Sequence, residues 1–275
     1  MSQHAGIRIH GGHSRSVDRK SLRFYAREDY GNARFNHELF GEGERGAFNR
    51  FILRNSGQDW NRTLFRDAMM QELVSDLNME TQLSQPTNLY VNGENWGVFN
   101  IRERFDNHYF RFAHDVEEED LDLLEGNGEV VEGGNRDYRA LIDYVDTKDM
   151  EKDEHFTVVS NQMDMDNFLD YYIAQIYFGN MDWPQNNVNM WRERLKGNGV
   201  GHCMTQILVL VYPLPDIHSL IIHCTGQPKE HLNGRPPCSA HCLTTHLLEM
   251  NSSSVLHIIR TRFSLITEFF LPLTR

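Results

Sequence analysis

The stretch Asn88–Glu103 constrains the fold more than any other. It sets two β-rich runs, LYV and WGVFNI, on either side of Asn92-Gly93. Both turn residues tolerate positive φ, which a two-residue type I′ turn requires at its central positions. The pattern predicts an antiparallel hairpin and excludes an all-helical chain. Two further strands are expected upstream. Gly6–His10 alternates Ile7 and Ile9 with Arg8 and His10 before Gly11-Gly12. Ser21–Arg27 alternates Leu22, Phe24 and Ala26 with Ser21, Arg23 and Tyr25.

Helices are expected at two places. Arg62–Leu77 has the spacing of a helix with Leu64, Ala68, Leu73 and Leu77 buried. Asn167–Phe178 sets Leu169, Tyr172, Ile173 and Ile176 on one stripe, and Gly179-Asn180 ends it. Asp115–Asp122 is acidic and reads as solvated, and the glycines at 126, 128, 133 and 134 make a turn-rich segment. There is no internal repeat. The irregular order of strands and helices predicts an α+β fold.

Charge and hydropathy narrow the function. The formal charge of −12 argues against a general nucleic-acid or anionic-membrane binder. The best apolar run, Ile207–Tyr212, is cut off by Pro213 and Pro215, so no membrane-spanning helix is expected. The N-terminus lacks a basic-then-apolar signal peptide.

The composition changes abruptly near residue 200. Residues 1–200 hold all four Trp, 35 acids, 22 bases and no Cys. Residues 201–275 hold four acids, five bases, no Trp, six of eight Pro, all four Cys and half of the 14 His. Cys238, His241, Cys242 and His246 offer soft and borderline ligands, but their spacing is not that of a zinc finger.

Chemistry concentrates after the second predicted helix. Asp182 is followed five positions later by Asn187, the spacing of a kinase catalytic loop. In such a loop the Asp orients or deprotonates the acceptor hydroxyl and the Asn oxygen holds Mg²⁺. The plainer alternative is an Asx-rich turn in which both side chains satisfy backbone donors.

Longer motifs accompany this pair. They are Gly6-Ile-Arg-Ile-His-Gly-Gly-His-Ser14, Arg19-Lys20-Ser21-Leu-Arg-Phe24, and Gly93-Glu-Asn-Trp-Gly97-Val-Phe99 continuing into Arg102-Glu103-Arg104-Phe105-Asp106. Leu53-Arg-Asn55, Asp59-Trp60, Phe65-Arg66-Asp67 and Asn167-Phe-Leu-Asp-Tyr171 follow the same order. Together they resemble the CotH kinase family, spore-coat protein H and its bacterial relatives, over about residues 5–196. The resemblance implies an atypical protein-kinase-like fold that transfers phosphate from ATP to Ser/Thr hydroxyls of a protein substrate. It implies Asp182 as the catalytic residue and Asn187 as a ligand of Mg²⁺ (or Mn²⁺). It makes Glu103 a carboxylate that orders a phosphate-binding cation, Lys20 or Arg23; the alternative is a hairpin ion pair. Gly11, Gly12 and Ser14 bend over phosphates or simply turn the chain. Trp60 and Trp96 are expected in packing. Relatives are often spore-coat or exported proteins, and the localisation of this chain stays open. Asn61-Arg-Thr63 fits a glycosylation sequon.

Two family features are missing. Strands normally precede the Gly6 segment, so the chain reads as beginning inside its domain. A W-x-[LIV]-x-Y-D-x-D-x-GFG-like stretch should follow Asp182, yet no Asp lies between Asp182 and Asp216. A slipped reading frame near Lys196 accounts for this. In the displaced frame Met204 into Thr205 forces Asp and His202 into Cys203 forces Leu, and the whole can read K-W-R-W-[TS]-L-[YH]-D-[TS]-D-F-G-F-G. The expectation is therefore an incomplete kinase-like domain over residues 1–196 and a frame-displaced tail over 197–275 with no domain of its own. Two function classes follow: an ATP-dependent kinase, inactive as written because the second metal-binding motif is absent, or a non-catalytic structural or interaction protein of a spore coat or cell surface.

Overall fold

A computed structural model describes residues 2–41, 46–150, 152–180, 183, 187–194 and 205–207. The chain divides into two compact units. Among the described residues, the first comprises 2–75 and 81–118, and the second 76–80 with those from 119 onward.

The first unit is built on a five-stranded sheet. Its strands are β1 (Gly6–His10), β2 (Ser21–Tyr25), β5 (Arg50–Arg54), β6 (Ser84–Val91) and β7 (Glu94–Arg102), in the order β1-β2-β5-β7-β6. Every neighbouring pair is antiparallel. A two-residue ribbon, β3 (Phe35–Asn36) with β4 (Ala47–Phe48), lies between β2 and β5 in sequence. Two helices complete the unit, α1 (Arg66–Leu73) and α2 (Asn107–His114).

The hairpin is where the Asn-Gly pair predicts it. Asn92 and Gly93 have φ of 52° and 87°, and Val91 pairs with Glu94 across the turn. Alternation along β2 sends Leu22 and Phe24 to a core with Phe35, Phe48, Phe51, Leu53 and Phe99, where Trp96 also packs. Phe24 and Phe51 stack at 5.0 Å, an arrangement that contributes about 0.5–1.5 kcal/mol beyond area burial.

Helix α1 is shorter than its pattern suggests. Leu64 has φ of +68°, a left-handed conformation that a helix cannot continue through, and α1 begins only at Arg66. Its buried face carries Met70 and Gln71, with Val74 just past its end, while Leu64, Ala68, Leu73 and Leu77 are half-buried.

The second unit holds a four-stranded sheet, ordered β11-β10-β8-β9. Its strands are β8 (Leu121–Glu125), β9 (Glu129–Glu132), β10 (Asn189–Glu193) and β11 (Thr205–Ile207). Helices α3 (Arg136–Thr147), α4 (Asp153–Ser160) and α5 (Met165–Tyr177) lie between β9 and β10 in sequence. Helix α5 is buried all round, Asn167 through Gln175 without a break, rather than along one stripe. The expected boundary at 196 is crossed by one pairing, Thr205–Ile207 with Asn189–Trp191. The rest of 197–275, including the four Cys, lies outside the described residues. Among the described residues no helix is long and apolar enough to cross a membrane.

Candidate functional site

Helix α5 precedes in sequence the segment that carries the predicted catalytic pair. Asp164 caps its N-terminus, accepting from Asn167 N at 2.9 Å. Three side chains then clasp the segment 76–80. Asp170 Oδ2 accepts from Asn78 N at 3.1 Å, Asn167 Nδ2 donates to Asn78 O at 2.8 Å, and Asn78 Nδ2 reaches both Asp164 oxygens at 3.2 Å. At the other end Asn180 Nδ2 donates to Gln175 Oε1 at 2.7 Å. The Trp183 ring meets Tyr172 edge-on at 4.8 Å. Burial pushes the Tyr171 hydroxyl upward, so it is a packing group rather than an acid.

Asn187 lies two residues before β10. It is half-buried with φ of +59°, a conformation Asn tolerates better than most residues. The carbonyl of the next residue, Val188, accepts from Gly126 N at 2.7 Å and leads directly into β10. Asp182 lies outside the described residues.

Neighbouring charges in this unit hold the sheet together. Asp122 on β8 accepts from Arg192 Nε and Nη2 at 3.0 and 2.9 Å, pairs with Arg194 Nε at 3.2 Å, and accepts from Gly134 N at 2.7 Å. Arg192 also pairs with Asp137. No local pattern announces this network, because its members sit on different elements.

In the first unit the face of the sheet opposite the core is cationic. Arg23, Arg50, Arg54 and Arg102 project there by strand alternation, with His10 on β1 and Arg104 just beyond β7. Two carboxylates neutralise part of it. Asp67 lies 3.0 Å from Arg102 Nη1 and 3.4 Å from Arg54 Nε. Asp106 pairs with Arg50 at 3.0 Å and Arg104 at 3.6 Å while capping α2 through His108 N. Burial would raise the Asp67 carboxyl, but Arg102, Arg54 and a hydrogen bond from Gln71 outweigh it and hold it below the ordinary value.

The three residues predicted to handle phosphate have different partners. Lys20 Nζ donates to the carbonyls of Arg15 and Val17 at 2.8 and 2.5 Å, closing the loop between β1 and β2. Arg23 Nε donates to His10 Nδ1 at 2.6 Å. Glu103 is buried, with Oε2 accepting from Leu83 N at 3.2 Å. Burial, with Arg23, Arg54 and Arg104 nearby, lowers the His10 pKa to about 3, so the ring is neutral at pH 7.

Several other motif residues prove to be structural. Asn55 bonds Ser21 Oγ through its backbone N at 2.9 Å and accepts from Gly57 N at 2.9 Å. Asp59 accepts from Thr63 N at 3.1 Å and Arg66 N at 3.3 Å.

The cationic face suits a polyphosphate. Arg23 and Arg8 have no carboxylate partner among the described residues, so charge is left over for an anion. Among the described residues no group of three or more His, Cys, Asp or Glu could hold a metal ion, and Asn187 offers a single neutral oxygen. No curated protein matches the chain at a significant level. A family model described as CotH kinase protein does match, over residues 7–200, a span that takes in the hairpin, both sheets up to β10 and the loop ending at Asn187. The chain belongs to the CotH kinase family, and its functional class is kinase-like.

Proposed function

We propose that the in-frame protein is an ATP-dependent protein kinase acting on Ser/Thr hydroxyls. Asp182 orients or deprotonates the acceptor hydroxyl, and Asn187 turns its carbonyl oxygen to Mg²⁺ or Mn²⁺. Such an ion, bound with ATP, supplies charge neutralisation at the phosphate oxygens. The observation that carries the reading is the family match across the loop between α5 and β10, whose end is held in place by Asn187 and Val188.

Of the two candidate cations, Arg23 suits a phosphate better than Lys20. The Lys20 ammonium is occupied by two loop carbonyls, whereas Arg23 lacks a carboxylate partner. A guanidinium also presents a planar fork that matches phosphate oxygens. Glu103, the next residue along, acts through its charge, which favours the protonated form of Arg102.

As written, the chain is proposed to be inactive. It has Thr205, Gln206 and Ile207 where the family's second Asp-bearing motif would fall, and none brings the negative charge that a divalent cation needs. The abrupt change in composition near residue 200 supports a frame displacement as the cause. That loss also favours a second reading, a structural or interaction protein of a spore coat or cell surface that keeps the fold without catalysis.

The test is phosphate transfer from ATP to a protein substrate by a version with the displaced frame restored after Lys196. Restoration should create activity absent from the chain as written. Asp182→Ala in the restored version should then lower transfer about 10²–10⁴-fold with no change in thermal midpoint. Equal transfer with and without Asp182 would overturn the catalytic assignment. Equal activity of the two frames would overturn the frame account.

A further inference from the structure

Arg8 and Arg23 stand directly opposite each other in the β1–β2 register. Opposed side chains on one face of an antiparallel pair have Cβ atoms about 4.5–5.5 Å apart, and like charges there are destabilising. Neither has a carboxylate partner among the described residues. The carboxylates that could have served them, Asp67 and Asp106, are taken by Arg54, Arg102, Arg50 and Arg104. What Arg23 does have is an uncharged imidazole, with Nε donating to His10 Nδ1 at 2.6 Å.

That contact has a geometric consequence. A guanidinium held only by Nε is fixed in orientation while both Nη groups remain available. A carboxylate in the same place would fix it too, but would cancel the charge. His10 fixes it and cancels nothing.

We propose that His10 is a positioning residue that holds the Arg23 guanidinium, beside Arg8, so that its Nη groups receive the phosphates of a nucleotide. The inference rests on the kinase reading for the identity of the anion; the positioning itself rests on the β1–β2 geometry. Since Nδ1 is the acceptor, the imidazole proton sits on Nε2. Protonation of Nδ1 would replace an acceptor by a donor aimed at a cation, and Arg54 and Arg104 oppose that change.

Binding can be measured on the chain as it stands, with ATP, tripolyphosphate and adenosine as probes. His10→Ala should weaken ATP and tripolyphosphate about tenfold and leave adenosine affinity unchanged. His10→Gln, which offers a side-chain carbonyl as acceptor, should recover most of the loss. Arg23→Ala should weaken the same two probes at least as much as His10→Ala. Equal weakening of all three probes by His10→Ala, or no rescue by Gln, would reduce His10 to a packing residue and overturn the proposal. If Arg23→Ala weakens ATP but His10→Ala does not, the positioning role fails while the phosphate role of Arg23 stands. Failure of the wild-type chain to bind tripolyphosphate would overturn the anion site, whereas the kinase reading would still be judged by Asp182→Ala in the restored frame.

Discussion

Arg102 Nη1 lies 3.0 Å from Asp67 Oδ2, joining β7 to α1 with side chains only 1% and 12% exposed. Arg102 is the largest fully buried side chain of the described residues. Burial lowers its pKa, and the Asp67 charge opposes that shift. An isolated charge at this depth would be very costly. Removing one partner of such a pair typically costs about 3–5 kcal/mol, because the other is left buried and uncompensated. Asp67→Asn should therefore lower unfolding free energy by about 3 kcal/mol, read from urea melts. Arg102→Met combined with Asp67→Leu should cost markedly less than Asp67→Asn alone. A double variant as damaging as the single would show that Arg54, the other partner of Asp67, is the charge whose loss of compensation matters.

The depressed pKa of His10 gives stability a pH dependence of known sign. In the unfolded chain the imidazole titrates near 6.5, and in the folded protein near 3. Above 6.5 both states are neutral, and the His10 contribution is fully present. As pH falls from 6.5 toward 3 the unfolded chain takes up a proton that the folded protein refuses, so stability drops by up to about 1.4 kcal/mol per pH unit. Asp59 and Asp67, whose pKa values are also lowered, lose their contributions only below their unfolded values near 3.8. Between pH 6.5 and 4.5 the slope should flatten in His10→Gln relative to wild type. An unchanged slope would place the sensitive group elsewhere.

The sequence spoke clearly where local chemistry decides the structure. Asn92-Gly93 fixes a turn by φ alone, and the alternation in β2 sorts core from cationic face without distant information, whereas in the edge strand β1 the alternating Ile7 and Ile9 stay exposed. It spoke poorly where a partner comes from far along the chain. Asp67 reads as a motif residue, yet its role depends on Arg54 and Arg102 reaching it across the sheet. Helix α1 shows the same limit, because the apolar spacing ran through Leu64, whose left-handed backbone stops the helix. At the candidate site the spacing of Asp182 and Asn187 named the loop. It could not reveal that His10, an ordinary strand residue by pattern, would be the hydrogen-bond partner of Arg23.

Gly133 should be the least replaceable glycine near the second sheet. Its φ is +69°, and a Cβ there would sit 2.1 Å from the Leu121 carbonyl oxygen and 2.4 Å from Asp122 Oδ1. The first of these is backbone of β8 and cannot swing aside. Gly133→Ala should cost more than the roughly 1 kcal/mol of the backbone preference alone. It should also disturb the Asp122–Arg192 pairing that ties β8 to β10. Thermal unfolding against Gly126→Ala, where φ is +58° but a Cβ would meet nothing within 4 Å, separates the two effects. Equal losses would mean that β8 yields to the clash.

Asn187 offers a way to separate a backbone role from a metal role. Its φ of +59° suits Asn as a turn residue, and its carbonyl oxygen suits it as a ligand. Glycine keeps the first property and removes the second; leucine removes both. If the residue only shapes the loop, Asn187→Gly in the frame-restored protein should keep wild-type stability and transfer. If it holds the metal, as proposed, Asn187→Gly should keep the thermal midpoint yet lower transfer about 10²-fold or more, partly recovered at high Mn²⁺. Asn187→Leu should lower both, with a stability loss of about 1 kcal/mol or more from the left-handed backbone. Wild-type transfer by the glycine variant would remove Asn187 from the metal site and leave it as the residue that turns the chain into β10.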